Sequence, residues 1–414
     1  MKNLYNFLRF TLVVLCICTG HVSALAYDFI VDGIAYNILD NEVEVTSNIP
    51  YQFAPNYGGM SIVNVPSTVH YGGKTYAVTA IGVEAFNSSK VKEVNLPNTV
   101  KVINEYAFAD CGITSIDIPN SVTRICSNAF ANGLFYTAAP LSLKSPTFNV
   151  NAYGGGLTSL YVPSSVTVIE PNAFYGCSDL DYIKVNPANP VYDSRNDCNA
   201  LIETATGVLL QGCRSTIIPN DVTGIGEYAF VDCRDLTEID IPEGVTTIGY
   251  GAFSKSGLTR LRIPNSTTRL EQFCFCFCEN LTDVIIGESV EMIGIFAFDG
   301  DHALRQITCK AVTPPRVHSY FNKPPFEYEN ITLRVPAEAL EDYKAADVWK
   351  EFPRIEGFYK GDVNDDKEVN IQDINLVINL ILNDGFNDSA DVNGDGEVTI
   401  ADINAIISIV LKMD

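Results

Sequence analysis

A motif of the form Ile-x-x-x-Ala-Phe recurs along the middle of the chain. Its first copies end at Phe86, Phe108 and Phe130, each 22 residues after the last, and later intervals are 21 to 23 residues if Tyr153 and Phe275 occupy the phenylalanine position of variant copies. A fixed period of this length predicts stacked coils, because one such unit cannot bury its own apolar side. The interval from Phe174 to Phe230 is 56 residues and predicts an insertion over about 186–217.

A second element lies between the motifs, as in the segment LTEIDIPEGVTTI. Leu236, Ile239 and Ile241 alternate there with Glu238 and Asp240, so the apolar side chains should point into a core and the acidic ones toward solvent. The proline that follows ends the strand, because it has no N–H to donate. The sequence therefore predicts a repeat solenoid: a parallel β-sheet with short strands and mostly irregular connections.

The repeat also explains most of the cysteines. Four of them follow a motif phenylalanine by three residues: Cys111, Cys177, Cys233 and Cys278. Cys233 and Cys278 would lie two coils apart, at a distance of about 10 Å, which is too far for a disulfide. These cysteines are therefore expected to be small, buried thiols. Cys198 and Cys213 flank the insertion, and their pairing as a disulfide stays open.

The pattern IxxxAFxxCxxLxxIxIPxSVTxI resembles the BspA-type bacterial leucine-rich repeats. The resemblance covers about 27–355 and includes the family's β-rich N-terminal cap and its C-terminal end. It implies a secreted or cell-surface protein for adhesion and recognition. The predicted organisation is a signal peptide (1–26), a cap (27–80), repeats (81–330), a C-terminal cap and linker (331–359) and an acidic tail (360–414).

Solvent-facing strand positions form a row of side chains across the coils. Tyrosine and arginine are common anchors of interfaces, so Tyr161, Tyr182, Arg260 and Arg262 are the predicted contacts for a host or microbial protein or glycan. An ordinary solvated sheet face is the alternative interpretation.

The tail contains two related acidic loops, DVNDDKEVNIQD and DVNGDGEVTIAD, offset by 29 residues. Oxygen donors at loop positions 1, 3, 5, 9 and 12, with the carbonyl at position 7, suit a hard cation of the size of calcium. Two such loops in register predict two Ca²⁺ sites. The ligands would be Asp362, Asn364, Asp366, Glu368, Asn370 and Asp373 in the first loop, and Asp391, Asn393, Asp395, Glu397, Thr399 and Asp402 in the second.

A loop followed by a helix, duplicated and with Asp at position 12, resembles the type I dockerin module. The resemblance implies a small all-α, calcium-binding domain that docks onto a cohesin-like partner. Lys367 departs from the pattern, because the sharp turn at position 6 favours glycine, as at Gly396. Late loop positions used by dockerins for partner specificity correspond to Ile371, Gln372, Ile400 and Ala401.

The two helices carry two apolar faces each. Helical periodicity predicts one face as the core of the module, formed by Ile374, Val377, Ile378 and Ile381 with Ile403, Ile406, Ile407 and Val410. The opposite face, Leu376 and Leu380 with Ala405 and Ile409, is predicted to bind a partner, since a second apolar face on a small module needs cover. That partner is either a cohesin-like domain or the solenoid of the same chain.

The first residues and the overall charge bear on location and partners. Lys2, Arg9 and the apolar stretch TLVVLCICTG predict a secretory signal peptide cleaved near Ala26. No later segment is apolar and long enough to span a membrane. A formal net charge of −23 disfavours nucleic acid as a partner, because a polyanion is repelled.

The sequence carries no catalytic motif, so a non-enzymatic binding protein is expected. An accessory component of a polysaccharide-degrading complex is a second interpretation, since dockerins often tether such proteins. A glycoside hydrolase is a third, but the repeats leave no separate domain for a catalytic carboxylate pair.

Overall fold

The computed structural model describes residues 27–48, 57–132, 156–317, 330–383, 385, 389–395 and 397–411. The predicted signal peptide and its cleavage point at Ala26 lie outside the described residues, as does Gly396. The chain divides into two compact units, Met1–Leu180 with Val185–Pro190, and Asp181–Lys184 with Val191–Asp414. The division falls at the insertion, and the acidic tail belongs to the second unit.

The main sheet of the first unit starts with antiparallel strands and continues with parallel ones, and β4 and β7 form a separate parallel pair. Strands β1 to β3 pair antiparallel, β3 pairs parallel with β6, and β6, β8, β9 and β11 follow in parallel order. The strands are β1 (Phe29–Val31), β2 (Ile34–Leu39), β3 (Glu42–Thr46), β4 (Ile62–Asn64), β5 (Thr68–Tyr71), β6 (Lys74–Ile81), β7 (Glu93–Asn95), β8 (Val102–Ile103), β9 (Arg124–Ile125), β10 (Ser159–Val162) and β11 (Val168–Ile169); β12 (Tyr182–Val185) follows in the chain.

The second unit has two sheets of short parallel strands. One continues from the antiparallel β13, β14 and β15 into the parallel β16, β17, β19, β21 and β23; the other is the parallel series β18, β20, β22, β24 and β25. The strands are β13 (Tyr192–Asp193), β14 (Leu201–Glu203), β15 (Val208–Gln211), β16 (Gly224–Ile225), β17 (Thr247–Ile248), β18 (Arg260–Arg262), β19 (Arg269–Leu270), β20 (Asp283–Ile286), β21 (Met292–Ile293), β22 (Gln306–Cys309), β23 (Arg316–Val317), β24 (Thr332–Pro336) and β25 (Arg354–Phe358). The predicted fold class, a β-solenoid with few helices, is confirmed.

The motif phenylalanines form a stacked column inside each unit. In the first unit, ring centroids of consecutive members from Phe86 to Phe174 are 5.2, 5.2 and 5.6 Å apart. In the second unit, the spacings from Phe230 to Phe298 are 4.8, 5.3 and 5.4 Å. These spacings are close to the distance between neighbouring strands, because each coil supplies one ring.

The insertion begins the sheet of the second unit. Its strands β13 to β15 pair antiparallel, and β15 then pairs parallel with β16. Gly212 follows β15 at a point where an added Cβ would lie 2.1 Å from the ring of Phe230. A side chain there would displace the first ring of the column, so the close approach requires glycine.

The solenoid ends in a cap of large aromatic side chains. The short helix α1 (Leu340–Ala345) and the turn at Trp349–Glu351 place Tyr343 and Trp349 against each other, 0% and 1% exposed. The Tyr343 hydroxyl donates to the carbonyl of Ala311 and the Trp349 indole to that of Pro315, both at 2.8 Å. Both aromatic residues therefore close the last coil with their polar groups satisfied.

The cysteines of the described residues are buried thiols, and no disulfide joins them. Burial raises the pKa of Cys111, Cys233 and Cys278 to about 12. The prediction that the repeat cysteines are small core residues is confirmed, and Cys198 and Cys213 are both thiols in the structure.

We expect these thiols to resist alkylation while the chain is folded. At pH 8.5 the native protein should take up almost no iodoacetamide, because the thiols are inaccessible and protonated. After unfolding without reductant, all ten described cysteines should react, as counted by mass spectrometry. Two residues that stay unreacted until a reductant is added would instead indicate a disulfide, with Cys198 and Cys213 the first pair to examine.

Candidate calcium loops and docking surface

The acidic tail folds as two copies of a loop followed by a helix. Helix α2 (Ile371–Leu382) and helix α3 (Ile400–Val410) each begin with a capping box. Asn370 and Thr399 cap the helices through their side-chain oxygens, and Asp373 and Asp402 accept in return from the backbone N–H of the cap. Local sequence alone therefore sets where both helices begin.

The aspartates at loop position 12 connect the start of each loop to its helix. One oxygen of Asp373 accepts from the N–H groups of Val363 and Asn364, at 2.8 and 3.3 Å, and the other from that of Asn370 at 2.9 Å. Asp402 repeats this arrangement in the second loop at 2.8, 3.0 and 2.8 Å. Each loop is thus wrapped around a carboxylate that is fully buried.

Positions 3 and 5 also match between the loops. The Asn364 amide donates to Asp366 at 2.8 Å, and the Asn393 amide donates to Asp395 at 2.7 Å. Lys367, at position 6 of the first loop, has φ of 73°, a left-handed conformation that favours glycine. The turn that the calcium-loop pattern requires therefore forms in the first loop with a strained residue.

The donor set of the loops fits a hard cation. Four carboxylates are at least nine-tenths buried, at positions 1 and 12 of both loops: Asp362, Asp373, Asp391 and Asp402. Among the described residues, no Lys or Arg side chain pairs with Asp362, Asp373 or Asp402, whose hydrogen bonds come from backbone N–H groups. Burying several negative charges is costly unless a cation accompanies them, and oxygen-only donors suit calcium.

A different group of possible metal ligands lies in the first unit. Glu105, Cys126 and Glu170 are the one set of three such residues, within the part of the chain that the structure describes, with donor atoms within 4.8 Å of one another. Glu170 is already bound by the Arg124 guanidinium and by the N–H and hydroxyl of Ser127. An ion pair and hydrogen bonds therefore account for this carboxylate.

The core of the tail differs from the prediction. Val377 is fully buried at the centre of the face of α2 that packs in the core. Leu380, predicted for the partner face, also packs against the core. Ile378, predicted for the core, is 37% exposed. The reason is rotation: at about 100° per residue, Leu380 lies about 60° to one side of Val377 and Ile378 about 100° to the other. The same corrections hold in α3 for Ala405, Ile407 and Ile409.

The exposed apolar residues of the tail form two matching rows. Three positions in each copy, offset by 29 residues, have nearly equal exposure: Ile371 and Ile400 (65% and 68%), Ile378 and Ile407 (37% and 38%), and Leu382 and Leu411 (75% and 69%). We call these six residues the paired apolar row. Gln372 and Ala401 are exposed beside it. Leu376, 38% exposed, lies on the opposite flank of α2.

The solenoid positions predicted to contact a ligand have different surroundings. In the first unit, Tyr161 is 46% exposed and its hydroxyl accepts from the Asn186 amide at 2.9 Å. In the second unit, Tyr182 is 51% exposed and the Arg260 side chain 84%. Arg262 instead contacts the tail, where its guanidinium donates to Asp391 at 2.9 Å.

Three further contacts join the tail to the solenoid within the second unit, and no sequence pattern identified them. The Asn265 amide donates to the Gly394 carbonyl at 2.7 Å, Arg334 pairs with Asp365, and Lys360 pairs with Glu288 at 2.7 Å. A cleft of about 590 Å³ lies beside these contacts. Such pairs are separated by tens of residues in the chain, so only the folded coils bring them together.

These features define a class of protein, a leucine-rich-repeat solenoid that carries a duplicated loop–helix tail. The family model of the BspA type leucine rich repeat region matches in six copies, over residues 75–181, 147–192 and 211–323. The matches cover more than half of the chain, which therefore belongs to this family. The dockerin type I domain model matches residues 360–411. Both are non-catalytic modules, typical of extracellular or surface proteins, and type I dockerins bind calcium.

Solved structures of bacterial leucine-rich-repeat proteins are similar to this chain. A protein from Eubacterium ventriosum is 21% identical, with a TM-score of 0.52 over 72% of this chain and 76% of its own. The pneumococcal vaccine antigen PcpA is 14% identical (TM-score 0.44, 81% and 100% covered). A protein from Bacteroides ovatus is 20% identical (TM-score 0.39, 80% and 100% covered). The likeness to the Eubacterium protein shows a shared fold.

No curated protein matches the chain. Across the described residues, none of the helices has the length and hydrophobicity needed to cross a membrane.

Proposed function

We propose that the chain is an exported, non-enzymatic binding protein. Its solenoid recognises a protein or glycan, and its tail binds two calcium ions and docks onto a cohesin-like partner. Removal of residues 1–26 as a signal peptide is part of this proposal. The ligands of the two ions are the loop residues at positions 1, 3, 5, 7, 9 and 12. The residues at position 9, Asn370 and Thr399, also cap the helices, and they are suited to binding the ion through a water molecule.

The observation that carries the docking function is the paired apolar row. The module buries five hydrophobic residues in its own core, yet it leaves six large aliphatic side chains in contact with solvent. An apolar surface of this kind on a small module is typical of a protein interface. Equal exposure in both copies supports two equivalent partner contacts, one on each copy.

Replacing Ile378 and Ile407 together with aspartate should abolish capture of a cohesin domain. Both positions are changed because either copy alone offers an equivalent contact, and a charge in the middle of each half would have to be desolvated in the complex. Binding is measured by surface plasmon resonance with immobilised cohesins of types I and II in millimolar calcium. The expected loss of affinity is more than about 100-fold, or over ~2.7 kcal/mol.

Leu376→Asp is the matched control: Leu376 was predicted for the partner face and is as exposed as Ile378, but the other residues of that face, Leu380, Ala405 and Ile409, pack against the core and leave it outside the row. It should retain capture, and all variants should keep their calcium stoichiometry in calorimetry. Retained capture by the double variant, or equal loss in the control, would remove the proposed surface. A wild-type protein that captures no cohesin and takes up no calcium would contradict the function itself.

A further inference from the structure

The second calcium loop lies against the strands of the solenoid. Arg262, at the end of β18, donates to the Oδ2 atom of Asp391 at 2.9 Å, and the Asn265 amide donates to the Gly394 carbonyl at 2.7 Å. Asp391 and Gly394 occupy positions 1 and 4 of the loop. The solenoid therefore touches the second loop at a predicted calcium ligand and at the turn beside it.

The two loops differ at this ligand. In the first loop, both oxygens of Asp362 accept from backbone N–H groups of the loop, those of Asp366 and Lys367, at 3.1 and 2.7 Å. In the second loop, one oxygen of Asp391 accepts from the Gly394 N–H at 2.8 Å, while the other binds the guanidinium of Arg262. The Asp391 side chain is 0% exposed, so this ion pair is shielded from solvent.

The second loop and the solenoid approach each other closely at Gly394 and Asn265. An added Cβ at Gly394, which has φ of 77°, would lie 2.2 Å from the Asn265 amide nitrogen, so only glycine allows the contact. Arg262 is also held by Glu243, at 3.3 Å. At the first loop, Arg334 pairs with Asp365, the residue at position 4. Within the part of the chain that the structure describes, solenoid side chains thus contact both loops, but a predicted metal ligand takes part only at the second.

We propose that the solenoid is a docking surface for the chain's own calcium tail. We further propose that calcium in the second loop weakens the contact of Arg262 with Asp391, and that this contact weakens calcium binding. This inference rests on the proposed calcium binding. A guanidinium and a divalent cation that share one carboxylate repel each other through a shielded environment. By linkage, docking lowers the calcium affinity of the second loop, and calcium at that loop weakens docking by the same factor.

Docking leaves the paired apolar row open. Ile400 and Leu411, which belong to the same copy as the docked loop, are 68% and 69% exposed. The contacts with Arg262 and Asn265 involve the loop and not this row. A cohesin-like partner and the solenoid therefore use different surfaces of the tail, so calcium controls how the tail is held without blocking partner capture.

The test is isothermal titration of calcium into the full chain, wild type against Arg262→Gln. The variant removes the opposing charge, so one of the two sites should bind calcium about tenfold more tightly, within the usual range of coupling between sites. Arg260→Gln is the matched control: it lies on the same strand and makes the same change in net charge, but its side chain is 84% exposed. Both calcium affinities should be unchanged in this control.

A second readout follows the docking contact without calcium. In chelator, the helix signal at 222 nm should melt at a lower temperature in Arg262→Gln than in wild type or Arg260→Gln, because an ion pair that holds the tail is lost. Normal calcium binding that is identical in all three proteins, or weaker binding in Arg262→Gln, would overturn the inference and leave the proposed function intact. A wild-type chain that binds no calcium would overturn both the inference and the proposed calcium binding. Titration of the wild type alone detects this outcome, so the two failures are distinguished.

Discussion

Replacing Phe253 with alanine should lower the free energy of unfolding of the second unit by about 3–5 kcal/mol. Phe253 is fully buried in the column, with its ring 4.8 Å from that of Phe230 and 5.3 Å from that of Phe275. Truncation leaves a cavity between two rings whose spacing is fixed by the backbones of the neighbouring coils, so the site cannot collapse around it. Urea unfolding followed by the fluorescence of Trp349, the single tryptophan of the chain, measures the change.

Phe277→Ala is the matched control for this column. It removes the same side chain from the next coil at a position that is 36% exposed, so the expected cost is below ~1.5 kcal/mol, since little apolar surface there is withdrawn from water. Equal losses in the two variants would mean that the stacked rings contribute no more than ordinary contacts. That result would contradict the interpretation that the stacked phenylalanines are a main source of stability in the repeats.

The period of the repeat predicted the solenoid because a fixed period places equivalent apolar side chains at the same position in every coil, where they can pack on one another. A phenylalanine about every 22 residues is useful only if each coil returns the chain to the same place, and ring spacings near 5 Å follow. Phe130 and Phe174 differ from this prediction: they are 44 residues apart in the chain, yet their rings are 5.6 Å apart and belong to neighbouring coils. The alternation of Leu236 and Ile241 with Glu238 and Asp240 likewise predicted which side chains are buried and which are exposed. Both inferences needed only neighbours in the sequence or its repeats.

The faces of the tail helices were harder to predict because both helices are apolar nearly all round. In α2 the periodicity allows a stripe centred on Val377 or one rotated toward Ile378, and the two differ by about 50°. Packing between the two helices and the loop residues Val369 and Val392 selects the first. Residue type and spacing therefore located the two candidate calcium loops, but the orientation of the helices depends on contacts between the copies.

The solenoid was one of the two partners considered for the tail, but the residues that make the contacts had no signal in the sequence. Arg262 was identified as a candidate for binding, yet its partner in the structure is a carboxylate 129 residues away. Charged pairs of this kind depend on the path of the whole chain, and an acidic tail offers many equivalent carboxylates to one arginine. Only the folded coils select Asp391 among them.

Removing calcium should destabilise the tail and leave the solenoid unchanged. At free calcium about 1,000 times the dissociation constant, each bound ion contributes about 4 kcal/mol to the folded state, and loss of one ion should lower the melting temperature of so small a module by more than about 15 °C. The five-residue core of the tail is too small to compensate for the repulsion among the loop carboxylates. Ellipticity at 222 nm reports mainly on α2 and α3, and Trp349 fluorescence reports on the cap of the solenoid.

The two signals should separate in chelator, the helix transition moving to low temperature while the fluorescence transition stays in place. Asp373→Asn with Asp402→Asn, measured in calcium, should reproduce the effect of chelator, because both position-12 carboxylates are lost without a change in size. Asp365→Asn also removes a carboxylate from the first loop, but one that is 65% exposed and outside the predicted ligand set, and it should retain its response to calcium. A single transition that moves as a whole on chelation would mean that tail and solenoid unfold as one unit, since stability supplied by the ions would then be shared by every coil that the tail contacts.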